Sequence, residues 1–192
     1  MIKIKILTLG HMPANFDKRK IEKWKSKLFS ITGDIENYRL RNNSDGADWE
    51  YTDQNLRDRI IRKDKDKDKD ANFTIVVTNI PLEDNYYSRR IDDNLAVFTF
   101  YEMKEIFENK NIPLENLLLR IIYAYSLVYI RFDNNIPMVF STSCFTHDEV
   151  RGCLFDMTGI KTEGIYIFCR SKICSECIEK LSGENVSVDK IN

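Results

Sequence analysis

The sequence contains little histidine, glycine or proline, and each shortage narrows the range of possible proteins. Among 192 residues there are two His, seven Gly and four Pro. So few chain-breaking residues argue against a fold dominated by loops. No apolar run reaches the roughly 20 residues that a membrane span needs. The chain is therefore expected to fold as a globular protein, and its 43% hydrophobic residues are enough to build a normal core.

The chain also lacks an excess of either charge. It has 29 Lys and Arg against 30 Asp and Glu, a formal net charge of −1. This balance gives no overall attraction to nucleic acid or to an anionic membrane, so neither is indicated as a partner. The N-terminus alternates lysine with apolar residues and lacks the continuous apolar segment of a signal peptide. These features predict a cytoplasmic protein.

Periodicity predicts an α/β (α+β) fold, with a mixed central sheet and helices packed against it. Asp17 is expected to cap a first helix over 17–31, with Ile21, Trp24, Leu28 and Ile31 on one face. Pro113 precedes the strongest helix signal, at 114–131, which is expected to be buried. Strands are predicted at 2–9, 35–40, 73–79 and 95–100, and a further helix at 53–63. The predicted domains are an α/β core over 1–135 and a C-terminal zinc-binding module over 136–192, packed on the core.

Two polar segments are interpreted as surface loops. Residues 63–70 read KDKDKDKD, which predicts a solvated loop or an exposed helix extension, with metal or partner binding as the alternative. Residues 86–90 read YYSRR and are expected to form a loop. Contact with a peptide, a phosphate or a nucleic acid is the alternative for this second segment.

All five cysteines follow residue 143, which indicates metal or redox chemistry rather than disulfides in a cytoplasmic protein. Cys174 and Cys177 form a C-x-x-C motif, and Cys144 and Cys153 lie 30 and 21 residues before it. Four thiolates in tetrahedral geometry make a closed, structural Zn²⁺ site. The predicted ligands are therefore Cys144, Cys153, Cys174 and Cys177. Cys169, within the apolar run IYIFC, is interpreted as a core residue.

His147 leaves two alternatives open. It could replace Cys144 as a zinc ligand, or hydrogen-bond a thiolate. It could instead act as a general base beside Asp148 and Glu149, which makes these three residues the candidate catalytic group. A redox role for the C-x-x-C motif is less favoured, because no strand precedes it as that role requires.

The order of these segments resembles the archaemetzincins, a metzincin-like family of zinc-dependent peptidase folds. The residues that carry the resemblance are IKILTLG at the start, QNLRDRI, FTIVVTNIPLE, LAVFTFYEM, and Cys153 with the LFDM that follows it and the later C-x-x-C motif. The resemblance implies a metzincin-like core with a second, all-cysteine zinc site.

The chain departs from this family at the catalytic motif. Family members carry H-E-x-x-H on the active helix, whereas the corresponding helix here, LENLLLRIIYAYSLVYIRF, contains no histidine. Two imidazoles one helical turn apart are needed to hold the catalytic metal, with a glutamate to activate its water. We therefore expect a catalytically inactive pseudo-peptidase that binds a protein or peptide partner. A hydrolase with an unusual site around His147, Asp148 and Glu149 is the alternative.

Overall fold

The computed structural model describes residues 1–39, 52–64, 70–138, 147, 149–156, 161–163 and 172–182. Within these ranges the fold is mixed α/β, with a six-stranded, mostly parallel sheet and five α-helices. The predicted fold class is confirmed at this level. None of the helices in the described part of the chain combines the length and the apolar character needed to cross a bilayer.

The sheet is built around its first strand. The strands are β1 (Ile2–Leu9), β2 (Phe29–Ile31), β3 (Glu36–Tyr38), β4 (Phe73–Thr78), β5 (Ser88–Asp92) and β6 (Leu95–Thr99). Their order is β2-β1-β4-β6-β5, and β3 pairs with the second half of β1 on the side of β2. All pairs are parallel except β5 with β6. The segments predicted as strands at 2–9, 73–79 and 95–100 therefore form the three inner strands.

Helices cover both faces of this sheet. The helices are α1 (Lys18–Glu22), α2 (Asp53–Asp64), α3 (Lys104–Glu108), α4 (Leu114–Arg131) and α5 (Ser175–Ser182). One apolar cluster joins Ile6 and Ile75 of the sheet to Leu118 and Ile122 of α4. On the other face, Leu56 of α2 packs with a second cluster that contains Leu7, Val76 and Val97. Residues that alternate along one strand thus enter opposite cores, as the pleat requires.

The helix predicted over 17–31 is wrong beyond its first turn. Asp17 does cap α1, with its carboxylate accepting from the Arg19 amide at 3.0 Å, but α1 ends at Glu22. Phe29–Ile31 forms β2 instead and pairs in parallel with Ile2–Ile4. The open edge of β1 supplies hydrogen bonds that a helix would leave unused, so tertiary pairing overrides the apolar spacing. Trp24, predicted to face inward, is 43% exposed.

The predicted loop at 86–90 is also wrong, because Ser88–Asp92 forms the antiparallel edge strand β5. Tyr87 is buried, and Arg89 makes two hydrogen bonds of 2.7 and 2.8 Å to the carboxylate of Asp53. The chain turns between β5 and β6 at Asp93 and Asn94, where Asn94 adopts a left-handed conformation with φ 55. Most of the lysine–aspartate repeat, residues 65–69, lies outside the described residues.

Candidate metal centre

Three parts of the C-terminal region converge on one point. His147 Nε2 lies 3.1 Å from the sulfur of Cys177 and 3.3 Å from the sulfur of Cys174. The amide of Cys174 donates to the sulfur of Cys153 at 3.4 Å. One ligand atom from each of His147, Cys153, Cys174 and Cys177 lies within 4.8 Å of all the others. This cluster could hold a metal ion.

The donor set suits zinc. With Zn–S of about 2.3 Å and Zn–N of about 2.0 Å, tetrahedral ligands sit roughly 3.5–3.8 Å apart. The separations of 3.1 and 3.3 Å between His147 Nε2 and the two sulfurs are slightly shorter than that range, and no two ligand atoms of the set lie more than 4.8 Å apart. Thiolate and imidazole are also the ligands that zinc prefers in structural sites. Four protein ligands would leave no open position for a substrate or a reactive water.

The C-x-x-C motif is presented by the start of α5. Cys174 directly precedes the helix, and Cys177 lies in its first turn, where the Ile178 amide donates to the Cys174 carbonyl at 2.9 Å. The positive end of the helix dipole favours thiolates at this position. Cys177 and Leu181 pack into the main apolar cluster, so burial of one helix face directs the ligands inward.

Cys153 is presented by a tight turn. Gly152 has φ 75, a left-handed conformation that glycine adopts without steric cost, and it orients the chain into the turn. A short bridge pairs Cys153 with Lys172, two residues before Cys174. A second bridge pairs His147 with Asp156. Backbone pairing on both sides of the turn therefore brings three distant segments to one place.

The electrostatics of the thiols favour a cation. The Cys177 thiol donates a hydrogen bond to the Cys153 sulfur, and this bond, together with the Cys174 and Phe155 amides, lowers the pKa of Cys153 to about 4. The same interaction raises the pKa of Cys177. Both thiols are buried. A positive ion between them is what would allow both to ionise.

The predicted ligands fall into two groups. Cys153, Cys174 and Cys177 are brought together in the described residues, whereas Cys144 lies outside them. His147, the alternative to Cys144, is buried and completes the cluster. Cys169, predicted to be a core residue, also lies outside the described residues.

The candidate catalytic group is not assembled in the described residues. His147 directs Nε2 at two sulfurs, and the Glu149 side chain is 83% exposed and pairs with Arg151 at 3.8 Å. Asp148 lies outside the described residues. Helix α4, which contains no histidine, directs its tyrosines into packing. Tyr125 bonds Ser88 at 2.9 Å, and Tyr129 packs against Phe73.

Three residues next to the centre are not predicted from the sequence. Arg120 donates to the carbonyls of Cys153 and Asp156, Tyr87 donates to the Asp156 carbonyl, and the Asp156 carboxylate accepts from two amides of the Cys153 turn. For Arg120 the sequence does give an indication, because a charged residue inside an otherwise apolar helix needs a buried partner. The sequence contains no comparable signal for the other two.

Comparison with known proteins adds no relative. No family model matches the chain, and no curated protein or solved structure matches it at a significant level.

Proposed function

We propose that the chain is a zinc protein in which His147, Cys153, Cys174 and Cys177 hold one structural ion. The observation that carries this proposal is the convergence of these four ligand atoms within 4.8 Å. Three of the four residues are buried, and a polar cluster of this kind is costly in a protein interior unless its members are paired. When bound, the ion would supply cross-linking and charge neutralisation, and the four ligands would exclude a reactive water.

We further propose that the protein works by binding another protein or a peptide, on a metzincin-like scaffold without peptidase chemistry. Support comes from the sequence of α4, which has no histidine to hold a catalytic metal. The resemblance to the archaemetzincins supports the scaffold part of this proposal. A hydrolase centred on His147 is less well supported, because its Nε2 is directed at the two sulfurs of Cys174 and Cys177.

The first test is the zinc content of the full chain, purified without added metal or chelator and measured by plasma mass spectrometry. We expect about one zinc per chain, the stoichiometry of a single four-ligand site. Folded protein without zinc would eliminate the metal centre. About two would point to a second ion and reopen the search for hydrolase activity.

The identity of the fourth ligand is tested by a matched set of variants. His147→Ala should lose most of the zinc, whereas His11→Ala, which alters the other histidine of the chain, should keep it. His11 is exposed, so this variant controls for the loss of a histidine outside the cluster. Cys144→Ser should also keep the zinc. Loss in Cys144→Ser with retention in His147→Ala would instead assign the four-cysteine set.

A further inference from the structure

The turn that carries Cys153 is held by two buried charged side chains. Asp156 is fully buried, and its Oδ2 accepts from the amides of Arg151 and Cys153, each at 2.9 Å. These two bonds close the turn on itself. They do not fix it relative to the rest of the molecule, because all three residues belong to the same short segment.

Arg120 links the turn to the central helix α4. It lies in the middle of α4, is 6% exposed, and is flanked by the buried Leu119 and Ile121. Its Nη2 donates to the carbonyl of Cys153 at 2.8 Å and to that of Asp156 at 3.4 Å. A guanidinium stays charged when buried, and its rigid plane can hold two carbonyls in a set orientation. One side chain of the central helix thus binds both ends of the ligand turn.

Tyr87 binds the same turn from the sheet. Its hydroxyl donates to the Asp156 carbonyl at 2.8 Å, and the residue is 4% exposed. Tyr87 directly precedes β5, which belongs to a different layer from α4. The Asp156 carbonyl therefore receives donors from both the helix and the sheet.

We propose that Arg120, assisted by Tyr87, is a positioning residue for the metal centre. This inference rests on the proposed zinc site. By holding the Cys153 carbonyl, Arg120 sets the direction of the Cys153 sulfur toward the other three ligands, although it does not touch the ion. The backbone bridge to Lys172 places the Cys153 turn beside the C-x-x-C motif, and the Arg120 contact fixes the same turn relative to α4.

The inference is tested on the full chain with Zn²⁺ and Co²⁺ as probes. The Zn²⁺ dissociation constant is measured by competition with a chromophoric chelator. The Co²⁺ absorption spectrum reports thiolate ligation and tetrahedral geometry. For Arg120→Met we expect zinc binding to be about 10–100-fold weaker, together with an altered Co²⁺ spectrum. This is the usual effect of losing a residue that holds a metal ligand in place without touching the ion.

Arg57→Met is the matched control. Arg57 lies in α2, on the opposite face of the sheet, and donates from Nε to the Ile91 carbonyl at 2.8 Å, away from the Cys153 turn and from α5. Its loss should change the Zn²⁺ dissociation constant by less than about threefold, within the effect of one ordinary hydrogen bond. A general effect of removing a helix arginine that donates to a carbonyl would weaken binding equally in both variants and would overturn the proposal.

Folded Arg120→Met with the wild-type dissociation constant and Co²⁺ spectrum would also overturn it. If that variant does not fold, Arg120→Lys and Tyr87→Phe decide, because both are milder changes. Each is expected to weaken zinc binding by more than about threefold, and wild-type binding in both would reject the positioning role. Absence of Zn²⁺ and Co²⁺ binding in the wild-type chain would eliminate the metal centre itself, a result distinct from normal binding in the variants.

Discussion

At the scale of single residues, the Cys153 turn depends on Asp156. One of its carboxylate oxygens accepts two backbone amides, while the other, Oδ1, has no hydrogen-bond donor among the described residues. A fully buried carboxylate with one satisfied oxygen is costly, so the two amide bonds must offset part of that cost. Asp156 is therefore a residue whose substitution should test how the turn is held.

Asp156→Ala should lower the free energy of unfolding by about 1–3 kcal/mol, because the buried Cys153 amide and the partly buried Arg151 amide lose their acceptor. Urea denaturation followed by circular dichroism measures this change. Asp156→Asn is the control, since its side-chain oxygen can still accept and the loss should be smaller. An alanine variant as stable as the wild type would show that the turn does not depend on these bonds.

At the scale of secondary structure, the segment after α1 is where local and tertiary preferences conflict. Ile21, Trp24, Leu28 and Ile31 have helical spacing, yet Phe29–Ile31 is a strand on the edge of β1. The Thr32 amide extends this pairing by donating to the Ile4 carbonyl at 2.9 Å. Pairing with the open edge of β1 therefore stabilises this segment more than folding into a weakly amphipathic helix would.

Substitutions at Ser30 distinguish the two conformations. Ser30 is half-buried in the middle of β2. In a strand, Ser30→Val should be more stable than Ser30→Ala by up to about 1 kcal/mol, because β-branched residues suit strands. In a helix the order would reverse, since alanine is the better helix former. Thermal unfolding of the two variants, side by side, gives the order directly.

At the scale of the whole molecule, the candidate metal centre and the sheet share one apolar core. Cys153, Phe155, Cys177 and Leu181 belong to the same buried cluster as Ile4, Phe98 and the inner face of α4. Lys161 adds polar contacts between the C-terminal region and the sheet. Its amine lies 2.7 Å from Asn85 Oδ1 and 3.6 Å from Glu102 Oε2, two residues in the connections that follow β4 and β6. Disturbing the metal centre should therefore destabilise the sheet.

Removal of the proposed zinc ion by a strong chelator should lower the melting temperature of the whole chain in a single transition. A ligand present at about a thousand times its dissociation constant stabilises by roughly 4 kcal/mol, which for a chain of this length corresponds to a shift of about 10 °C. Differential scanning calorimetry measures the effect. Re-addition of zinc should restore the original transition. Two separated transitions after chelation would show instead that the C-terminal region unfolds independently of the sheet.

Much of the architecture is determined by the sequence itself. The inner strand at 2–9 alternates lysine with apolar residues at its start, a period-two pattern typical of a strand. The inner strands at 73–78 and 95–99 are mostly apolar runs, which suit strands buried on both faces. Helix α4 begins after Pro113 as predicted, because proline suits a helix start and eighteen strongly periodic residues follow it. The C-x-x-C motif also predicts that Cys174 and Cys177 lie together in the cluster, since the two thiols are close in sequence.

Other features are decided only by the tertiary structure. The edge strands β2 and β5 form because neighbouring strands offer hydrogen bonds, which local spacing does not encode. The convergence of His147 and Cys153 on the C-x-x-C motif depends on bridges between distant segments. The role of Arg120 arises in the same way. A buried guanidinium needs acceptors, and the carbonyls that satisfy it lie 33 and 36 residues further along the chain. No local pattern specifies such a pairing, because long-range contacts are chosen by the packing of the whole fold.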